Sequence, residues 1–247
     1  MHRAFTGLIG LTTYALTLLA MAALVAFTAP FGWPWGVNHG PTGPWDLAVT
    51  MDVALLALFG LQHSLMARRR VKAWLARACP PALERSTYLL ATCAALAALM
   101  LLWRPLPQPV LWQAEAPAAV GALGLLWGLG WGLAAWSTFL LDHAELFGLR
   151  QSLGWARPND SANLRTPGIY RWVRHPLYLG MLIGLWATPR MTAGHALLAG
   201  GLSVYVALGM ALEERDLIAH FGEAYRRYRQ QAGALWPRLG TRRDISH

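Results

Sequence analysis

Four groups of ionisable side chains interrupt a chain otherwise built to avoid charge: Asp52 with His63, Asp142 with His143 and Glu145, Arg171 with Arg174 and His175, and Glu213 with Glu214. Ionisable groups within long apolar segments are costly, so those that persist point to function. The stretch YRWVRHPLYLG at 170–180 runs its basic group straight into a proline. Pro176 suits the first turn of a helix, where its missing N–H costs nothing, and it pushes His175 into a capping conformation. The first free N–H groups of that helix, on Leu177, Tyr178 and Leu179, then face outward with the positive end of the dipole, beside Arg171 and Arg174. Such an end is an anion pocket. A membrane edge alone accounts for Arg171 and Trp172, because Arg and Trp gather at interfaces.

Glu213 and Glu214 close a later apolar run, and a hairpin of the two arms brings them beside the basic cluster. Paired carboxylates at an edge are commonly solvated charges. Next to arginines they complete a bipolar site, suited to a zwitterionic ligand with a positive centre. Gly180 and Gly184 form a GxxxG step that lets the arms approach closely. Asp52 and His63 share a helix face about three turns, or roughly 16 Å, apart. His63 and His143 fall at similar depth near the arginine-rich loops. One such histidine is commonly a structural core residue; two above a candidate pocket are candidates for moving a proton near neutral pH.

The elements that position these groups follow from composition. Of 247 residues, 55% are hydrophobic and only 13% charged, against about 25% charged in a typical soluble domain. Apolar runs near 7–29, 45–66, 86–103, 117–141 and 192–212, with a shorter one near 176–189, predict an all-α polytopic membrane bundle of about six transmembrane helices. The last two form a hairpin. The first run reads as a helix rather than a signal peptide, since its apolar core exceeds about 7 to 15 residues and no A-x-A site follows. Of the 21 basic residues, all but Arg104 and Arg190 fall at one side of these runs, so the positive-inside rule places both termini in the cytoplasm. That basic face suits anionic lipid headgroups, and no separate nucleic-acid footprint stands out. Leu217, Ile218, Phe221, Tyr225 and Tyr228 recur at helical spacing as a C-terminal amphipathic helix that Gly222 bends. Cys79 and Cys93 have neither disulfide context nor metal-ligand spacing. No repeat divides residues 1–247, which read as one membrane domain: helices one to three over about 1–110, a ligand-binding half over about 115–232 and a basic tail at 233–247.

GIYRWVRHPLYLG followed by EERDLIAHFGEAYRRY resembles the signature of the isoprenylcysteine carboxyl methyltransferase superfamily, RHPxYxG followed by EExxLxxxFGxxYxxY. FGLQHSLMARRRVKAW, ERSTYLLA and LDHAELFGLRQ resemble the branch that holds methanethiol S-methyltransferases and NnrU-like proteins, so the resemblance covers about residues 50–232. It implies S-adenosylmethionine as cofactor, a small-molecule thiol as substrate and membrane lipid as surroundings, with no nucleic acid and no obligate protein partner. It also implies a bacterial inner membrane, with the active site toward the cytoplasm. Tyr170, Arg174, His175, Leu177, Tyr178, Leu179, Gly180, Glu213, Glu214 and Tyr225 then become the expected cofactor-binding set, with no metal. A thiol must lose its proton to attack. His143 is the first candidate to take it, then Asp142, then His63, with Tyr88 as a relay. Two alternatives stay open: a haem b protein like carotene isomerase, ligated by His63 with His143 or His175, and a methyltransferase of lipid or prenyl-cysteine substrates. A non-catalytic assembly factor would need no cofactor signature.

Overall fold

The computed structural model describes residues 2–77, 79–155 and 164–238. Its helices are α1 (His2–Phe27), α2 (Trp45–Met66), α3 (Arg69–Leu75), α4 (Glu84–Leu102), α5 (Pro117–Leu141), α6 (His143–Leu146), α7 (Leu149–Ser152), α8 (Pro176–Trp186), α9 (Ala193–Phe221) and α10 (Glu223–Gln231). Among the described residues, five helical stretches are long and apolar enough to cross a membrane: Ala4–Phe27, Trp45–Met66, Pro81–Leu102, Pro117–Leu141 and Ala193–Phe221. The sixth apolar run, α8, has 11 residues and covers only about 16 Å, roughly half the hydrocarbon core. The chain is a membrane helix bundle with one short arm.

Local chemistry sets the ends. Pro117 and Pro176 occupy the first turns of α5 and α8, where a missing N–H is harmless. Thr192 caps α9 by accepting a hydrogen bond from His195 N at 3.1 Å. Leu24 and Phe27 of α1, Phe59 of α2, Leu99 of α4 and Leu198 of α9 share one buried cluster. Leucines on the outer faces, such as Leu61, Leu125 and Leu208, stay exposed, as lipid-facing positions should.

Two expectations change. α9 does not stop near 212; it runs on to Phe221, because EERDLIAHF contains no helix breaker, and only Gly222, at φ 57°, separates it from α10. Glu213 and Glu214 therefore sit within a helix rather than at its end. The Gly180–Gly184 step serves α5 instead of α9: a Cβ at Gly180 would stand 2.5 Å from Gly130 O and Ala134 N, and one at Gly184 would strike the Trp131 ring. Gly180 is thus a packing residue. At the end opposite the basic loops, β1 (Val110–Gln113) and β2 (Arg190–Thr192) pair antiparallel and tie the α4–α5 loop to the α8–α9 turn. At the same end the buried Asp52 accepts from Arg104 N at 2.9 Å, far from the basic cluster.

Candidate active site

The chain leading into α8 is held by the segment after α10. Arg174 N donates to Gly233 O at 2.8 Å and His175 N to Ala234 O at 3.0 Å. The Arg174 guanidinium turns toward α9, with Nε 2.8 Å and Nη2 2.6 Å from Glu214 Oε1. Its Nη1 donates to the carbonyls of Arg229 and Ala232, and Arg229 Nε lies 3.3 Å from Glu214 Oε2. Arg174 and Glu214 are only 7% and 14% exposed. They form a strut between the two arms. The expected anion pocket is therefore largely filled from within, and Leu179 N already donates to His175 O at 3.0 Å.

Glu213 behaves differently from its neighbour. Its side chain is 47% exposed, and its Oε2 accepts from Tyr178 OH at 2.7 Å. His175, itself buried, stacks on Tyr178 with ring centroids 5.5 Å apart and sets Nε2 3.2 Å from Glu214 Oε1. Tyr170 and Tyr225 support this wall from behind. Tyr170 OH donates to Ser137 O at 3.4 Å, and Tyr228 OH donates to Tyr170 O. Burial, with the Glu213 charge adding, pushes the Tyr170 phenol up to about 12. Burial and then Glu214 do the same for Tyr225, also to about 12. Both stay protonated.

The second group centres on α2 and α4. Tyr88 OH lies 2.6 Å from His63 Nε2, and His63 Nδ1 lies 3.2 Å from Thr92 Oγ1. Thr92 donates its only hydroxyl proton to Tyr88 O at 2.9 Å, so it must accept from His63 Nδ1–H. That assigns the tautomer: Nε2 carries the lone pair and accepts from the Tyr88 hydroxyl. Thr92 follows Tyr88 by one helical turn, which places both on one face of α4. The Arg85 carbon Cζ stands 5.1 Å from the centre of the Tyr88 ring, while its Nε and Nη2 donate to Leu146 O at 2.9 and 2.7 Å.

His143 has a parallel arrangement elsewhere. Thr138 donates to Ala135 O and so accepts from His143 Nδ1–H at 2.7 Å, leaving Nε2 to accept from Tyr14 OH at 2.9 Å. The ring stacks on Phe139 with centroids 4.0 Å apart. Burial holds this imidazole below its usual value, with Asp142 partly opposing. Asp142 accepts from Glu145 N at 3.0 Å and pairs with Arg150 at 2.7 Å, a helix cap with a salt bridge. His63 and His143 thus each spend both ring nitrogens on protein groups, and of the two only His63 lines the cleft of Tyr178 and Glu213.

One cleft joins the first two groups. It holds about 550 Å³ and is lined by His63 from α2, Arg85 and Tyr88 from α4, Tyr178 from α8, and Tyr205 and Glu213 from α9. His143 and Asp142 are not on its walls; Asp142 lines a separate cleft of about 400 Å³ with Lys72 and Glu145. Arg85 borders both. Tyr205, Arg85 and Gly209 were not singled out by the sequence reading. The signal was present: Tyr205, Gly209 and Glu213 recur every four residues along α9, one stripe on one face.

Over 233 residues the chain is 45% identical to a methanethiol S-methyltransferase of a Pseudomonas strain, an overlap of 94% of this chain and 89% of that protein. With a methanethiol S-methyltransferase of Mycobacterium tuberculosis it shares 41% identity over 245 residues, 98% of this chain and 100% of the other. The chain belongs to the methanethiol S-methyltransferase family. It is also 37% identical over 175 residues to Nurim of Homo sapiens, covering 67% of this chain and 66% of that one. No family model and no solved structure matches it. Within this family member, His63 and Tyr88 face the same space as Tyr178 and Glu213, whereas His143 and Asp142 do not.

Proposed function

We propose that the chain is a membrane thiol S-methyltransferase that uses S-adenosylmethionine to convert methanethiol to dimethyl sulfide. The observation that carries this is the single cleft into which the RHPxYxG-side tyrosine, the first glutamate of the EE pair and the Tyr88–His63 pair all open. Its volume of about 550 Å³ suits a drug-sized ligand, for which pockets of about 300–1,000 Å³ are usual. The donor set fits the cofactor. The outward carboxylate edge of Glu213 would hold ribose hydroxyls, and the faces of Tyr178 and Tyr205 would attract a cationic sulfonium. Arg174, His175 and Glu214 fix the position of that wall from behind. Tyr170, Leu179 and Tyr225 are buried, Leu177 is half-buried in the first turn of α8, and Gly180 seats α8 against α5. S-adenosylmethionine supplies an electrophilic methyl group.

The protein's part is to make the nucleophile. A free thiol is mostly protonated at neutral pH, with a pKa of about 8.5 even for Cys. Tyr88 points its hydrogen at His63, so the remaining lone pairs of its oxygen are left for a thiol S–H in the cleft. As the oxygen takes that proton, its own moves to His63 Nε2, and the resulting imidazolium keeps its Nδ1–H on Thr92. Arg85, over the Tyr88 ring, stabilises negative charge developing on the phenol and opposes a lasting charge on His63. The proton then leaves through the open cleft to solvent. With the basic end in the cytoplasm of a bacterial inner membrane, cofactor and proton both exchange with that compartment. The chain-wide match to the methanethiol enzymes favours methanethiol over a prenylated or lipid substrate.

Purified protein given S-adenosylmethionine and methanethiol should release dimethyl sulfide into the headspace, with one S-adenosylhomocysteine formed per sulfide. Headspace gas chromatography that finds no sulfide above a protein-free blank contradicts the proposal.

A further inference from the structure

We infer that Gly209 makes room for the alkyl group of the thiol, and that the chain therefore methylates short alkanethiols, ethanethiol and propanethiol, as well as methanethiol. This rests on the thiol methyltransferase function proposed above. Gly209 lies one turn from Tyr205 and one turn from Glu213 on the α9 face that lines the cleft. It stands between the tyrosine packed against His63, with ring centroids 5.8 Å apart, and the carboxylate on the cofactor side.

Glycine weakens a helix relative to alanine, so its presence in mid-helix asks for a reason. At Gly130, Gly180 and Gly184 the reason is packing, since a Cβ would fall within 2.9 Å of neighbouring atoms. At Gly209 no heavy atom of the described residues lies within 4 Å of where a Cβ would be. No packing contact among the described residues requires the small residue there. Gly200, on the same helix, also has an open Cβ position but does not line the cleft. What Gly209 alone leaves is space inside the cleft, beside the group that takes the proton, and space there sets the length of the thiol's carbon chain.

The transfer is the same for each thiol. The S–H proton goes to the Tyr88–His63 pair, the sulfur lone pair forms the new S–CH₃ bond, and the methyl carbon's bond to the donor sulfonium breaks with its electrons left on the donor sulfur. Nothing is oxidised or reduced. Ethanethiol thereby gives ethyl methyl sulfide.

The experiment compares wild type with Gly209→Ala, Gly209→Leu and the control Gly200→Ala, on methanethiol, ethanethiol and propanethiol. S-adenosylhomocysteine binding is measured by calorimetry on each. Wild type should form all three sulfides. One methyl group in an apolar pocket discriminates by about tenfold or more. Gly209→Ala should therefore lower the ratio of kcat/KM for propanethiol to that for methanethiol about tenfold, and Gly209→Leu should remove propanethiol turnover. Gly200→Ala should leave the ratio as in wild type, and S-adenosylhomocysteine should bind every variant. A wild type that forms dimethyl sulfide but no ethyl methyl sulfide overturns the inference, as does a ratio unmoved by either Gly209 substitution. A wild type that forms no dimethyl sulfide overturns the proposed function itself.

Discussion

Tyr88→Phe should lower turnover of methanethiol about 100-fold or more while S-adenosylhomocysteine still binds, because proton transfer by a positioned side chain is worth about 10²–10⁴ in rate. The substitution removes one oxygen and leaves the ring beneath Arg85 in place. His63→Phe should cost a similar factor, since the proton leaving Tyr88 then has no acceptor 2.6 Å away. Groups that act as one unit are not additive, so the double variant should be no slower than the slower single one. His143→Phe is the informative contrast. Its ring faces Tyr14 and Phe139 rather than the cleft, and it should lower kcat by much less than Tyr88→Phe. Single-turnover rates with saturating cofactor separate this chemical effect from binding, and equal losses at His143 and Tyr88 would count against the assignment.

The largest effect on the folded protein is expected at Glu214. Glu214→Ala leaves the Arg174 guanidinium buried without its carboxylate, and breaking a buried ion pair by removing one partner costs about 3–5 kcal/mol. The damage should spread, because Arg174 also holds the carbonyls of Arg229 and Ala232 that anchor the segment after α10. Thermal unfolding in detergent should show a fall in midpoint, and S-adenosylhomocysteine should no longer bind. Arg174→Lys should fail as well, because an ammonium cannot reproduce the guanidinium fork. Glu213→Gln should instead fold normally and weaken only the cofactor, since Glu213 is half exposed and accepts a hydrogen bond from Tyr178 at the cleft wall. If Glu213→Gln unfolds the protein, or Glu214→Ala leaves its midpoint unchanged, the division of labour between the two glutamates is wrong.

The apolar runs, the short arm and the meeting of Arg174 with Glu214 were all legible in the sequence. Each depends on composition, on Pro176 or on opposite charges at the ends of one hairpin. The roles inside the EE pair were not legible. Which of two adjacent helical residues faces inward depends on the rotation of α9, and that is fixed by its packing against α2 and α8. The partner of Gly180 was missed for a related reason: a small-residue step states that some backbone comes close, without saying which. β1 and β2 pair residues far apart in sequence, and neither is long enough to show an alternating pattern. His143 ranks ahead of His63 in the sequence because depth along a helix can be read there, but azimuth around the bundle cannot. Tyr88 holds His63 at the edge of the cleft, and that placement is why we propose His63 rather than His143 for the proton.

A structure of the chain with S-adenosylhomocysteine bound tests the site most directly, because the ligand's sulfur marks where the methyl group stood. The sulfur is expected in the cleft of α2, α4 and α9, beside Tyr88 and Tyr178, with the ribose hydroxyls on Glu213. A sulfur found instead beside Asp142 and Glu145, in the cleft on the far side of Arg85, would contradict it.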